Sequence, residues 1–120
     1  MRARWRLNRA FLKVYRDEAL VEQHMKCRYC RDPMTFASST IEHRTPQSRL
    51  GDGRRSNISA SCRPCNLAKG DMTDPEFMAL LQSEPVGRQN SIRACWRRRE
   101  ANLAKELAVS RGLENMEAVQ

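Results

Sequence analysis

The chain has 120 residues, with 22 Lys or Arg against 14 Asp or Glu, so it carries a formal charge of +8 and an isoelectric point near 9.9. That length suits one domain with a modest core, and 3 Phe, 2 Trp and 2 Tyr supply little bulk to fill it. No segment approaches the roughly 18 uninterrupted apolar residues of a membrane span, which makes nucleic acid a better expected partner than a bilayer.

The first residues, Met1 to Arg6, are basic, but Asn8, Arg9, Lys13 and Arg16 follow where a secretory signal would have its apolar segment. From Ala10 to about Met25, apolar residues at Phe11, Val14, Tyr15, Val21 and Met25 recur at helical spacing and predict an amphipathic helix. Arg31 to Ser39 reads as loop, then Thr40 to His43 as a short strand. Gly51, Asp52 and Gly53, flanked by arginines, predict a flexible basic loop before a second short strand from Asn57 to Ala60. A short helix from Arg63 to Lys69 should end at Gly70. Asp74 as cap and Pro75 at the first helical position should open a helix to about Gln82. After the break at Pro85 to Gly87, a longer helix from Asn90 or Ser91 to about Ser110 carries Ile92, Trp96, Leu103 and Leu107 as one apolar stripe, and Gly112 should stop it. The expected organisation is a single domain over 1–120, with a core at about 27–70 and helical extensions at 8–25 and 74–111.

Two Cys-x-x-Cys pairs, Cys27/Cys30 and Cys62/Cys65, stand on either side of residues 31–61. Two residues between cysteines let both thiolates reach one tetrahedral ion, and two such knuckles complete a closed, structural four-cysteine zinc site. Five cysteines in this spacing, without a signal segment, read as metal ligation in a reducing cytoplasm. Cys95, left over, reads as a small buried hydrophobe. His24 lies near Cys27, but four cysteines already suffice. Between the knuckles the sequence offers Glu42 beside His43, then Asn57, and Asn66 follows Cys65. Those are groups for a base and a second, hard cation.

The order Glu42-His43, Pro46, Asn57, Cys62-Arg63-Pro64-Cys65, Asn66 and Lys69-Gly70 resembles the HNH endonuclease family, over about Cys27 to Gly70. The resemblance implies an α+β fold, a small ββα-metal core stapled by the four-cysteine zinc and flanked by N- and C-terminal helices. It implies that His43 is the general base, a task suited to an imidazole whose pKa lies near neutrality. It further implies that Asn57 hydrogen-bonds backbone and fixes the loop beside the histidine, and that Glu42 and Asn66 hold a catalytic Mg2+ or Mn2+. Strand alternation sends Glu42 and His43 to opposite faces unless the backbone bends.

Candidate phosphate contacts are Arg44, Arg49, Arg54, Arg55 and Lys69 around the hairpin, and Arg93, Arg97 and Arg98 on the last helix. The function expected from all of this is metal-dependent hydrolysis of DNA phosphodiesters by a cytoplasmic protein of bacterial or phage origin. The alternatives are a noncatalytic zinc module that binds nucleic acid, and an adaptor for a larger protein such as a phage packaging or restriction component.

Overall fold

The computed structural model describes the backbone of residues 2–119 and the side chains of 9–113 and 116. Helix α1 spans Arg2–Glu22, strands β1 and β2 span Thr40–His43 and Ile58–Ser61, and helices α2, α3 and α4 span Arg63–Lys69, Asp74–Leu80 and Asn90–Val119. Single 3-10 turns at Gln47–Arg49 and Arg55–Asn57 lie in the connection between the strands. The result is a small ββα unit with helices on either side, an α+β arrangement.

Helix α1 starts earlier than its apolar spacing suggested, and its stripe is not its buried face. Phe11, Val14 and Val21 are each more than half exposed, whereas Ala19 and Leu20 are buried. The helix ends without glycine: His24 and Met25 both adopt φ of 59°, and Met25 N–H closes onto the Leu20 carbonyl at 2.8 Å. Gln23 just beyond the helix then acts as a backbone mimic. Its amide nitrogen donates to the Ala60 carbonyl at 2.9 Å and its oxygen accepts from Ala60 N–H at 3.1 Å, which satisfies the outer edge of β2.

The strands form an antiparallel hairpin with Thr40 opposite Ser61, Ile41 opposite Ala60, Glu42 opposite Ser59 and His43 opposite Ile58. The second strand therefore begins one residue later than expected, because Asn57 closes a turn. The intervening loop is tied down, contrary to the flexibility expected of Gly51-Asp52-Gly53. Asn57 Nδ2 donates to the carbonyls of Thr45 at 3.1 Å and Asp52 at 2.7 Å, and its Oδ1 accepts from Thr45 N–H at 2.8 Å. At Gly51 a Cβ would stand 1.6 Å from the Thr45 carbonyl oxygen, so no larger residue fits that closure.

Helix α3 begins with a capping box made by Thr73 and Glu76, not with Asp74 as cap. Asp74 is instead buried and accepts a two-pronged salt bridge from Arg28, both contacts at 3.0 Å. Burial alone would raise its pKa, but the Arg28 guanidinium outweighs that and holds it below the ordinary value. This pair ties the first cysteine knuckle to α3, where Tyr29 also packs edge-on against Phe77 at 4.9 Å between ring centroids.

Helix α4 runs through Gly112 to Val119. An isolated glycine among Leu, Glu and Met costs only about 1 kcal/mol relative to alanine, too little to end a helix. Its inner face is also more polar than predicted: Ile92 and Cys95 are buried, while Leu107 is 51 % exposed. Further along, Asn102 Nδ2 donates to the Cys30 carbonyl at 2.9 Å and Arg99 to the Tyr29 carbonyl at 2.8 Å. Glu106 accepts from Arg31 at 2.8 Å and pairs with Lys26, contacts that lower its pKa to about 2, the Arg31 hydrogen bond contributing most. Arg31 needs this anchor, since it sits at φ 66° in the knuckle turn.

Candidate metal centre and active site

The four knuckle sulfurs lie within 4.8 Å of one another, and Cys30 and Cys62 Sγ are 3.7 Å apart. A tetrahedron with Zn–S bonds of about 2.3 Å has edges near 3.8 Å, so the donor set has the size and the soft chemistry for zinc. Backbone N–H groups turn toward the sulfurs as well: Cys62 N lies 3.3 Å and Tyr29 N 3.4 Å from Cys27 Sγ, and Asp32 N lies 3.5 Å from Cys30 Sγ. These donors favour thiolate. Hydrogen bonds among the four sulfurs pull the thiols apart, holding Cys27 far below the ordinary range and pushing Cys62 and Cys65 above it, so that without a cation the four do not ionise together. His24 is exposed and stands outside the cluster.

Arg98, expected on a nucleic-acid face, turns inward. Its Nη2 lies 3.1 Å from Cys95 Sγ and 3.6 Å from Cys65 Sγ. The reason is electrostatic: four thiolates around one divalent ion leave two negative charges, and a half-buried guanidinium offsets part of that. Arg98→Leu is therefore expected to weaken zinc retention by about 10- to 100-fold, the usual effect of losing a group that hydrogen-bonds a metal ligand. Competition with a chromophoric chelator measures this, and parent affinity in the variant would remove Arg98 from the metal centre.

The second site lies at the end of β1, facing α2. Ile41, Glu42, His43, Pro46, Gln47, Asn66, Lys69 and Gly70 surround a cavity of about 240 Å3. Both Glu42 and His43 line this cavity, and His43 also borders a second cleft that Glu42 does not reach. Glu42 is buried to 1 % exposure, and its Oε1 takes an ion pair from Lys69 Nζ at 2.7 Å. Ser61 Oγ donates to its Oε2 at 3.3 Å. Burial raises the Glu42 pKa, and Lys69 opposes that shift.

Lys69 was expected to meet phosphate at the surface; instead it is 2 % exposed and also donates to the His43 carbonyl at 3.0 Å. Its chain position one turn after Asn66 carries it under the strand, where the Glu42 carboxylate compensates its charge. Asn66 Nδ2 donates to Thr40 Oγ1 at 3.2 Å, which leaves the amide oxygen as its available donor atom to a cation. His43 has a lowered pKa, from burial first and the Lys69 charge second, and its Nε2 is buried without a hydrogen-bond partner.

The cavity thus offers a neutral imidazole, a carboxylate and an amide oxygen. Two hard oxygen donors fit a loosely held divalent cation with most positions open to water and phosphate, although the Lys69 ammonium competes for one oxygen of Glu42. The remaining arginines divide. Arg55 is engaged by Glu22 at 2.9 Å, and Arg93 by Glu84 at 3.6 Å. Arg49 pairs with Glu76. Arg44, Arg54 and Arg97 are exposed, Arg54 with Asp52 at 2.9 Å.

Gln47 was missed by sequence reasoning. It lines both this cavity and a second cleft on the other side of His43, and a lone glutamine in a loop gives no signal of that. The helix aromatics of the second cleft, Phe11 and Tyr15, were visible only as part of a presumed core stripe.

Residues 27–81 match the family model for HNH endonuclease. Over 59 residues the chain is 34 % identical to a CRISPR-associated endonuclease Cas9 of Corynebacterium diphtheriae, an alignment covering 48 % of this chain and 5 % of that protein. No solved structure matches the chain. No helix among the described residues is long and apolar enough to cross a membrane. The hairpin and the helix after it fall wholly inside the matched segment, so the part of the chain that is similar to HNH endonucleases is the part that builds both the cysteine cluster and the cavity.

Proposed function

We propose that the protein hydrolyses DNA phosphodiester bonds at the β1–α2 cavity, with His43 as general base and Glu42 and Asn66 holding one Mg2+ or Mn2+. The observation that carries this reading is the meeting of His43, Glu42 and Asn66 around one cavity within a segment matching an endonuclease family. The bound ion would supply charge stabilisation at the phosphate and the departing 3′ oxygen. His43, kept neutral by burial and by Lys69, takes a proton from the attacking water. Asn57 holds the two ends of the adjoining loop together, so the imidazole and the loop backbone keep a fixed relation. Lys69 opposes the upward shift that burial imposes on Glu42. Arg44, Arg54 and Arg97 are exposed and able to meet flanking phosphates, Arg54 from the rim of the cleft that adjoins His43.

Glu42→Ala and Asn66→Ala are expected to lose most plasmid nicking at low Mg2+ and to recover part of it at high Mn2+, because each removes one oxygen donor from a site that has two. A supercoiled plasmid, titrated with each metal and with EDTA, reads this directly. If neither metal supports any cleavage by the parent protein, the noncatalytic zinc module becomes the better reading. Assembly with a larger protein finds support in Leu107, Val109, Leu113 and Met116, all more than half exposed along the distal part of α4.

A further inference from the structure

His43 borders two clefts, and only one of them contains Glu42 and Asn66. The other, about 430 Å3 in volume, lies between α1 and the interstrand loop and is lined by Phe11, Leu12, Tyr15, His43, Gln47, Gly53 and Arg54. Because His43 and Gln47 line both, the two clefts adjoin. Helix α1 lies outside the segment matched by the family model, residues 27–81, so this wall is a feature of this chain rather than of the family core.

The chemistry of the second cleft differs from that of the first. Phe11 and Tyr15, one helical turn apart, put two rings side by side with centroids 6.5 Å apart and planes tilted by 32°. Phe11 is 57 % exposed, an arrangement that contributes little to the core and leaves an aromatic face open beside the histidine. At Gly53 a Cβ would come within 3.4 Å of Leu12 Cδ2, so the absence of a side chain there keeps the cleft open on the loop side. Arg54 is a cation at the rim, its side chain 82 % exposed. An aromatic face, an amide and an exposed guanidinium next to a phosphate-cleaving centre are complementary to a nucleoside: base, base edge and neighbouring phosphate.

Resting on the nuclease reading above, we propose that the α1 cleft is a subsite for the base of the nucleotide adjoining the scissile phosphate, taken up unpaired, with Phe11 and Tyr15 as its stacking platform and Arg54 on the next phosphate. A base in a duplex would first have to leave its stack, at a cost of a few kcal/mol, so single-stranded or mismatched DNA is the preferred substrate class. Gln47 meets the edge of the base.

The test uses the full chain and a defined single-stranded oligonucleotide whose cleavage position has been mapped, with a second copy made abasic at the flanking nucleotide. Phe11→Ala and Tyr15→Ala should raise KM on the intact strand by roughly ten-fold or more, the range for losing base stacking on an aromatic ring, with little change in kcat or melting temperature. Gly53→Leu, which fills the cleft, should act in the same direction. The abasic strand should raise the parent's KM comparably, and combining it with Phe11→Ala should add little, because both remove the same contact. Parent KM in both aromatic variants, or an abasic penalty undiminished in Phe11→Ala, would overturn the subsite. Fluorescence anisotropy with the same strands scores the subsite without cleavage, so a parent protein that cuts nothing yet shows this coupling in binding would sink the nuclease reading alone.

Discussion

Plasmid cleavage by His43→Ala is expected to fall by about 10²–10⁴-fold, the usual loss for a general base, while zinc content and DNA affinity stay near the parent values. The selectivity of that loss follows from position. The imidazole is not one of the four clustered sulfur ligands, and neither of the oxygen donors proposed for the catalytic ion belongs to it. Mn2+, which should partly rescue Glu42→Ala and Asn66→Ala, should therefore not rescue His43→Ala. The same geometry fixes the sign of the pH dependence. Burial and the Lys69 charge both disfavour the imidazolium, and a divalent cation nearby would act in the same direction. The acid limb of the parent's pH–rate profile should consequently lie below the ordinary histidine value of about 6.5. Parent-like cleavage by His43→Ala in the same metal would remove the base from this position.

Removal of zinc should cost the protein its cooperative fold. Three of the twelve residues in the buried cluster, Cys27, Cys30 and Cys65, are ligands themselves, and the fourth ligand, Cys62, packs against it. Without the ion, four thiols converge in a space that also carries Arg98 and backbone donors, and little apolar surface compensates. Structural zinc contributes on the order of 10–16 kcal/mol of apparent binding free energy in small zinc-dependent modules, comparable to the whole stability of an ordinary domain, about 5–15 kcal/mol. Cys30→Ser, or prolonged chelation, should thus abolish the far-ultraviolet melting transition, and Cys95→Ser, which removes no ligand, should not. A chelated, zinc-free protein that melts at the parent temperature would show that the helices hold the fold unaided.

The four-cysteine cluster and the ββα order were legible in the sequence, because both are written in local spacing. A Cys-x-x-Cys pair makes its own knuckle, β1 over Thr40–His43 is bounded by turn residues, and α2 starts at Arg63-Pro64 and ends at Gly70. Family resemblance on the same residues singled out His43, Glu42, Asn57 and Asn66. Tertiary structure alone decided where charge and apolar surface went. Lys69 became the buried partner of Glu42 and Arg98 turned toward the Cys65 sulfur, because each meets negative charge contributed by a distant part of the chain. Asp74 gave up capping for a salt bridge with Arg28, 46 residues away. Phe11 and Val14, spaced like core residues, stayed exposed because the sheet beneath α1 has only two strands, too narrow to cover the whole stripe. Periodicity reports that a helix has an apolar face; what that face meets depends on partners that local spacing does not encode.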